Sequence, residues 1–338
     1  PAADNNVEGL NLEPGTYISI IGKDDSSSYW TNVKKGVMQA ADDLNKELGY
    51  KGSDKIKVTY NAPAKSEDID EQVNILDEEL SRYPDAVGIA SIDSAACSVQ
   101  FDLATANGIP VISLDSGNEY KGIQCIVKTD NKDAARTGAY KLANEIGDEG
   151  QVILVVHDSN SETAKERAKS FEEEIKNNYP SVSIVETIYC DKLDDLKKKI
   201  AVEKDPNMSE DLQKAAVEKM TDDEVMQYYL KKYPDLKGVF GTNESSTIFA
   251  LEALQKTELA GKVALVGFDI SEEQTAAMKN GEISGLVVQN PFGMGYASVV
   301  AAARTVLQSG NEAVVDTGYI WVTKDNLEDE SIQNMLYK

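Results

Sequence analysis

Residues 238–246 read GVFGTNESS: a short apolar run stops abruptly, and the residues after it are all small or polar. The run predicts a buried strand that delivers Asn243 to a ligand. In open α/β sheets helices cover both faces, so the strands are apolar throughout and the polar residues past their carboxyl ends line a crevice. The same pattern recurs in VISLDSG, which ends on Asp115 and Ser116, in ALVGFDI, which ends on Asp269, and in SGLVVQNP, which ends on Gln289. These four ends supply two carboxylates and two amides, with no nucleophile and base pair among them. That inventory suits gripping hydroxyls better than breaking bonds.

Outward from this stretch, apolar runs alternate with helical periodicity along most of the chain. YISII at 17–21 precedes the serine-rich loop GKDDSSS and a helix over 29–48 with apolar Val33, Val37, Ala40, Ala41, Leu44 and Leu48. Further strands are predicted at 55–60, 86–90, 111–114, 124–127, 151–156, 182–188, 263–267 and 286–288. Helices lie between them, and one more strand falls in GYIWVTKDN. Such alternation argues for βαβ units and parallel sheets. The pattern changes over 191–234, which reads as a helix, a break at Asp205-Pro206-Asn207, and one or two further helices with Thr221 and Glu224 spaced as a capping box. This segment is expected to be a surface insertion of amphipathic helices, with a lid or docking element as its functional reading.

Bulk properties set limits. A chain of 338 residues exceeds the size at which one hydrophobic core keeps growing, so two lobes are expected. The net charge of −24 and pI near 4.4 repel phosphate backbones, so no nucleic-acid partner is expected, whereas neutral and cationic small ligands stay open. No apolar run approaches the roughly 18 residues of a membrane helix. Cys97, Cys125 and Cys190 are odd in number and lack metal or redox spacing, so all three are assigned to packing. The only histidine, His157, closes the strand VILVV and is expected to be a bystander. The first fifteen residues, PAADNNVEGLNLEPG, are expected to be a tether left after processing or cloning.

Six ordered motifs carry a family resemblance: YWTNVKKGV, GIPVISLDS, KERAKSF, VFGTNES, VALVGFD and LVVQNP. From about Gly15 to Asn326 the chain resembles the periplasmic sugar-binding proteins of ABC transporters, the type I solute-binding family that includes the ribose- and galactose-binding proteins. The resemblance implies two doubly wound parallel-sheet lobes, 16–129 plus 290–317 and 130–289 plus 318–338, joined by a three-segment hinge near 128–131, 289–291 and 316–319. Tyr29 and Trp30 would hold the family's sugar-stacking positions, Asp115 its first carboxylate and Arg167 its arginine. Asn243, Asp269 and Gln289 would supply the amide, acid and amide of the second lobe and hinge. It further implies a monomeric, non-enzymatic, cofactor-free protein outside the cytoplasm, periplasmic or lipid-anchored, that passes a monosaccharide to a membrane ABC permease.

Some positions depart from the family pattern. Ser116 follows Asp115 where ribose-type members have arginine, and Asn-Glu stands at 243–244 in place of Asn-Asp. GDEGQ at 147–151 lacks the alternating oxygens of the galactose-type calcium loop, so no metal is expected. Lys23 matches a lysine of autoinducer-2 receptors, which makes a signalling ligand one alternative; a LacI-like effector domain is another. A glycosidase using Asp115 and Asp269 is the enzymatic rival.

Overall fold

The computed structural model describes residues 6–336. Strands β1 (Tyr17–Ile21), β2 (Lys57–Asn61), β3 (Ala86–Ile89), β4 (Val111–Leu114), β5 (Ile126–Lys128) and β11 (Val314–Asp316) form one sheet, in the order β11-β5-β4-β3-β1-β2. Strands β6 (Gly150–Val156), β7 (Val182–Tyr189), β8 (Leu236–Gly241), β9 (Ala264–Phe268), β10 (Gly285–Gln289) and β12 (Tyr319–Val322) form the other, in the order β12-β10-β9-β8-β6-β7. Each lobe repeats the same doubly wound order, and only β12 runs antiparallel, against β10. In both sheets the winding reverses beside the first strand, between β1 and β3 and between β6 and β8. Such a switch point opens a crevice at the carboxyl ends of the strands.

The helices bury one stripe each. Helix α1 (Ser28–Leu48) starts on Ser27, whose side chain accepts the Trp30 N–H, and stops at Gly49, which takes a left-handed conformation at φ 70°. It lies against α11 (Pro291–Val306). A β-carbon at Gly36 would sit 2.0 Å from the Phe292 carbonyl oxygen, and one at Gly295 would sit 2.0 Å from that of Val33. These two glycines let the helix bearing Tyr29 and Trp30 press directly on the helix that follows the 289–291 crossover. In the second lobe Phe171, Phe240 and Phe268 pack in sequence, the first pair stacked at 4.5 Å and the second edge-on at 6.0 Å.

Three features differ from the sequence reading. The tether expected over 1–15 lies partly outside the described residues, but Val7, Leu10 and Leu12 are buried and Tyr50 donates to the Leu12 carbonyl at 2.7 Å, so this segment closes the base of the first lobe. The three-residue β11 is unanticipated; it pairs with β5, which is itself shifted to begin at Ile126. The 191–234 segment folds into α6 (Leu193–Lys204), α7 (Glu210–Lys219) and α8 (Asp222–Lys232). There α8 buries Val225, Met226, Tyr229 and Leu230, while α7 buries nothing.

Candidate ligand-binding cleft

The carboxyl ends of the two sheets face each other across a cavity of about 610 Å³. Tyr29, Trp30, Asp115, Arg167, Asn243, Asp269 and Gln289 all line it. No lining residue belongs to α6, α7 or α8.

The two aspartates occupy equivalent places in the two lobes. Asp115 follows β4 and Asp269 follows β9, both in the left-handed region at φ 61° and 66°. Their N–H groups donate to Val127 and Val287 of the neighbouring strand at 2.7 and 2.8 Å. Aspartate tolerates this conformation better than most residues, at a cost of order 1 kcal/mol, and the turn aims each carboxylate across the strand end. Both are almost fully buried. Asp115 accepts the Tyr29 hydroxyl at 2.6 Å and lies 3.4 Å from the Lys23 ammonium. Asp269 accepts the Gln289 amide at 2.7 Å and, more weakly, the Glu244 N–H at 3.3 Å. Tyr29 thus orients a carboxylate through its hydroxyl and meets Trp30 edge-on at 5.3 Å.

Arg167 projects from α5 (Glu162–Asn178) and is 3% exposed. Its Nε donates to Asn131 at 3.0 Å, Nη1 to the Thr242 carbonyl at 2.7 Å and Nη2 to Gln289 Oε1 at 3.1 Å. Its guanidinium lies 4.3 Å from the centre of the Phe268 ring. No ion pair among the described residues includes Arg167; three of its five N–H donors make these hydrogen bonds, and the side chain lines the cavity. Asn243 serves two roles at once. Its Oδ1 caps α9 (Glu244–Lys256) by accepting Ser246 N–H at 2.9 Å within a capping box, and among the described residues its Nδ2 has no partner.

The sequence reading gave several wall residues no part in the site. His157, assigned as a bystander, follows β6 directly and is 7% exposed; Cys190, assigned to packing, lines the cavity too. Burial pushes the Cys190 thiol up to about 12. Asp24, Glu67, Glu244 and Phe249 also face the space. In all, seven carboxylates and two basic side chains line it. Loss of solvent, then Asp269 and Asp24, push the Glu244 carboxyl up to about 7. Burial and Asp158 do the same to Glu67.

The lobes touch beside the cavity. Lys23 donates to Thr163 Oγ1 at 3.4 Å, the Thr163 N–H to Ser116 Oγ at 3.4 Å, and Lys165 to Ser94 Oγ at 3.2 Å. Two doubly wound lobes, three crossovers and a polar cavity between opposed strand ends define a two-lobed ligand-capture protein.

The periplasmic binding protein domain family matches residues 18–311, and the chain belongs to that family. It is 27% identical to a carbohydrate transporter solute-binding protein from Agrobacterium radiobacter solved with D-arabinose, which superposes with a TM-score of 0.78 over 95% of this chain and 98% of that one. A solute-binding protein from Agrobacterium vitis with bound D-fucose is 26% identical, with a TM-score of 0.77 over 95% of this chain and all of that one. The ribose import binding protein of Haemophilus influenzae is 25% identical over 287 residues, 85% of this chain and 84% of its relative. The fold is the type I periplasmic binding protein fold.

Proposed function

We propose that this chain is an extracytoplasmic solute-binding protein that captures a monosaccharide between its lobes and delivers it to a membrane ABC permease. The reading is carried by the convergence of Asp115, Arg167, Asn243, Asp269 and Gln289 on one cavity. A sugar presents adjacent hydroxyls on its edge and C–H bonds on its faces. Carboxylate and guanidinium hydrogen bonds are charge-assisted and short, so Asp115, Asp269 and Arg167 orient the hydroxyls. Asn243 Nδ2 donates to one more, and Trp30 and Phe249 cover C–H surface. The reading makes the protein a carrier rather than an enzyme. The likeness to sugar-transport relatives supports it, as do Asp115 and Asp269, each tied by hydrogen bonds in place.

A binding screen tests this directly. Isothermal titration with D-ribose, D-arabinose, D-fucose, D-tagatose and D-allose is expected to find at least one tight ligand, with epimers discriminated because each unmatched polar group costs about 1–3 kcal/mol. Asn243→Ser keeps an oxygen for the helix cap but loses the Nδ2 donor, and it should weaken that ligand about tenfold. Failure of every sugar to bind would overturn the reading.

The lobes are proposed to hinge about 128–131, 289–291 and 316–319, closing on the ligand. Closure brings Asp24 of the first lobe towards Glu244 of the second, adding to the loss of solvent and the Asp269 charge that raise the Glu244 carboxyl. A carboxyl whose pKa is raised on closure takes up a proton, so the gain is complete below its ordinary value of about 4.5 and is lost as pH rises through about 7. Affinity should therefore tighten by roughly three- to tenfold between pH 8 and pH 5.5, and Glu244→Gln should flatten the profile. A pH-independent Kd in the parent chain would refute the linkage.

A further inference from the structure

The only histidine of the chain sits in the cleft wall with one ring nitrogen already committed. His157 follows β6 and Thr242 follows β8; the two strands are neighbours, with Val155 opposite Gly241. Thr242 Oγ1 accepts the His157 backbone N–H at 3.0 Å and lies 2.7 Å from His157 Nδ1. Thr242 is fully buried, so its O–H requires an acceptor, and among the described residues Nδ1 is the one within reach. Nδ1 therefore accepts, which fixes the ring as the neutral tautomer protonated at Nε2. Among the described residues no acceptor lies within hydrogen-bond range of Nε2, and the Asp158 Oδ2 beside it is at 3.7 Å. That carboxylate is already supplied: Oδ1 accepts the Asn160 and Ser161 N–H groups at 2.8 and 2.6 Å, and Oδ2 accepts the Ser161 hydroxyl at 3.0 Å. A buried N–H donor on the cavity wall is thus left for whatever fills the cavity.

We propose that His157 is a specificity-determining residue, a fixed neutral donor whose Nε2–H bonds an oxygen of the ligand and rejects an ammonium at that position. The identity of that ligand as a sugar rests on the function proposed above; the tautomer does not. Thr242 is the positioning residue, because its hydroxyl holds His157 while its carbonyl holds Arg167. The charges facing the imidazole are Asp158, Arg167, Lys23 and Asp115, and loss of solvent outweighs the two carboxylates in keeping the ring uncharged.

A single histidine makes the test unambiguous. In the full chain labelled with ¹⁵N-histidine, long-range proton–nitrogen correlation is expected to show one imidazole, protonated at Nε2 and unchanged from pH 8 to pH 5.5. Thr242→Val, which deletes the hydroxyl and keeps the carbonyl, should release the ring into a tautomer mixture. Against the tightest binder among D-ribose, D-arabinose, D-fucose and D-tagatose, His157→Phe should weaken binding about tenfold while His157→Gln, whose amide reaches the Nε2 position, stays within about threefold. An Nδ1–H tautomer, titration near the ordinary histidine range, or full affinity in His157→Phe would each overturn the proposal. If none of the four sugars binds the parent chain, the sugar reading falls and the nitrogen spectra alone decide whether the donor is fixed.

Discussion

Replacing Arg167 by methionine is expected to lower affinity for the captured sugar about a hundredfold, while the chain still folds. Three of the guanidinium donors are spent on Asn131, Thr242 and Gln289, and because the side chain lines the cavity the two that remain are the ones a ligand would meet. Two charge-assisted hydrogen bonds at about 1.5–3 kcal/mol each, less what water recovers, come to about 3 kcal/mol, or roughly a hundredfold. Methionine fills similar volume over the Phe268 ring, so the stability loss should stay near 1–2 kcal/mol, the cost of leaving the Asn131 and Thr242 oxygens short of a donor. Lysine should do little better, because a point charge cannot serve three fixed acceptors and a ligand at once. The same arginine touches Asn131, in the first crossover, and Gln289, at the second, so the proposed ligand contact and the proposed hinge share one side chain. Titration calorimetry beside urea denaturation separates the two effects; affinity within threefold of the parent in a folded Arg167→Met would refute the role.

Much of this cleft was legible in the sequence, for a physical reason. Parallel strands covered on both faces must be apolar, so the points where VISL, VFG, ALVGF and LVV give way to polar residues mark the crevice, and Asp115, Asn243, Asp269 and Gln289 were found there. His157 and Thr242 also stand at strand ends, but their meaning depends on β6 lying next to β8, a pairing that brings together residues 85 apart and that local pattern cannot announce. Glu67 reaches the cavity from a loop in which it takes a left-handed conformation at φ 64°, and nothing in KSEDID signals that turn. The strand VVD at 314–316 is too short for periodicity to register, and its pairing with β5 is set by the crossovers on either side of it. The buried Val7, Leu10 and Leu12 were hidden by polar neighbours, since isolated apolar residues in a breaker-rich run carry no period.

Gln289→Leu is expected to cost about 3–4 kcal/mol of stability and to abolish measurable binding. Gln289 ends β10 at 2% exposure. Its Oε1 accepts Thr129 Oγ1 at 2.6 Å and Arg167 Nη2 at 3.1 Å, with the Tyr29 hydroxyl at 3.4 Å, and its Nε2 donates to Asp269 at 2.7 Å. One amide therefore links a residue of the first crossover, the arginine of α5 and the carboxylate of the second lobe, while its own backbone begins the second crossover. Leucine removes the acceptor and the donor together at a buried position, which is the circumstance in which unmade hydrogen bonds are most costly. Gln289→Glu separates the two halves of the amide. It keeps the acceptor for Thr129 and Arg167 but sets a second carboxylate against Asp269, so one of the pair must hold a proton in the folded state. The folded pKa is then raised above the unfolded value, and the sign follows: stability is greatest below the ordinary carboxyl range and declines as pH rises past neutrality. Urea denaturation should accordingly find Gln289→Glu closer to the parent at pH 5 than at pH 8, and Gln289→Leu equally weakened at both. A Gln289→Leu chain within about 1 kcal/mol of the parent would mean that the crossovers are held by backbone pairing alone and that the amide at the hinge serves only the ligand.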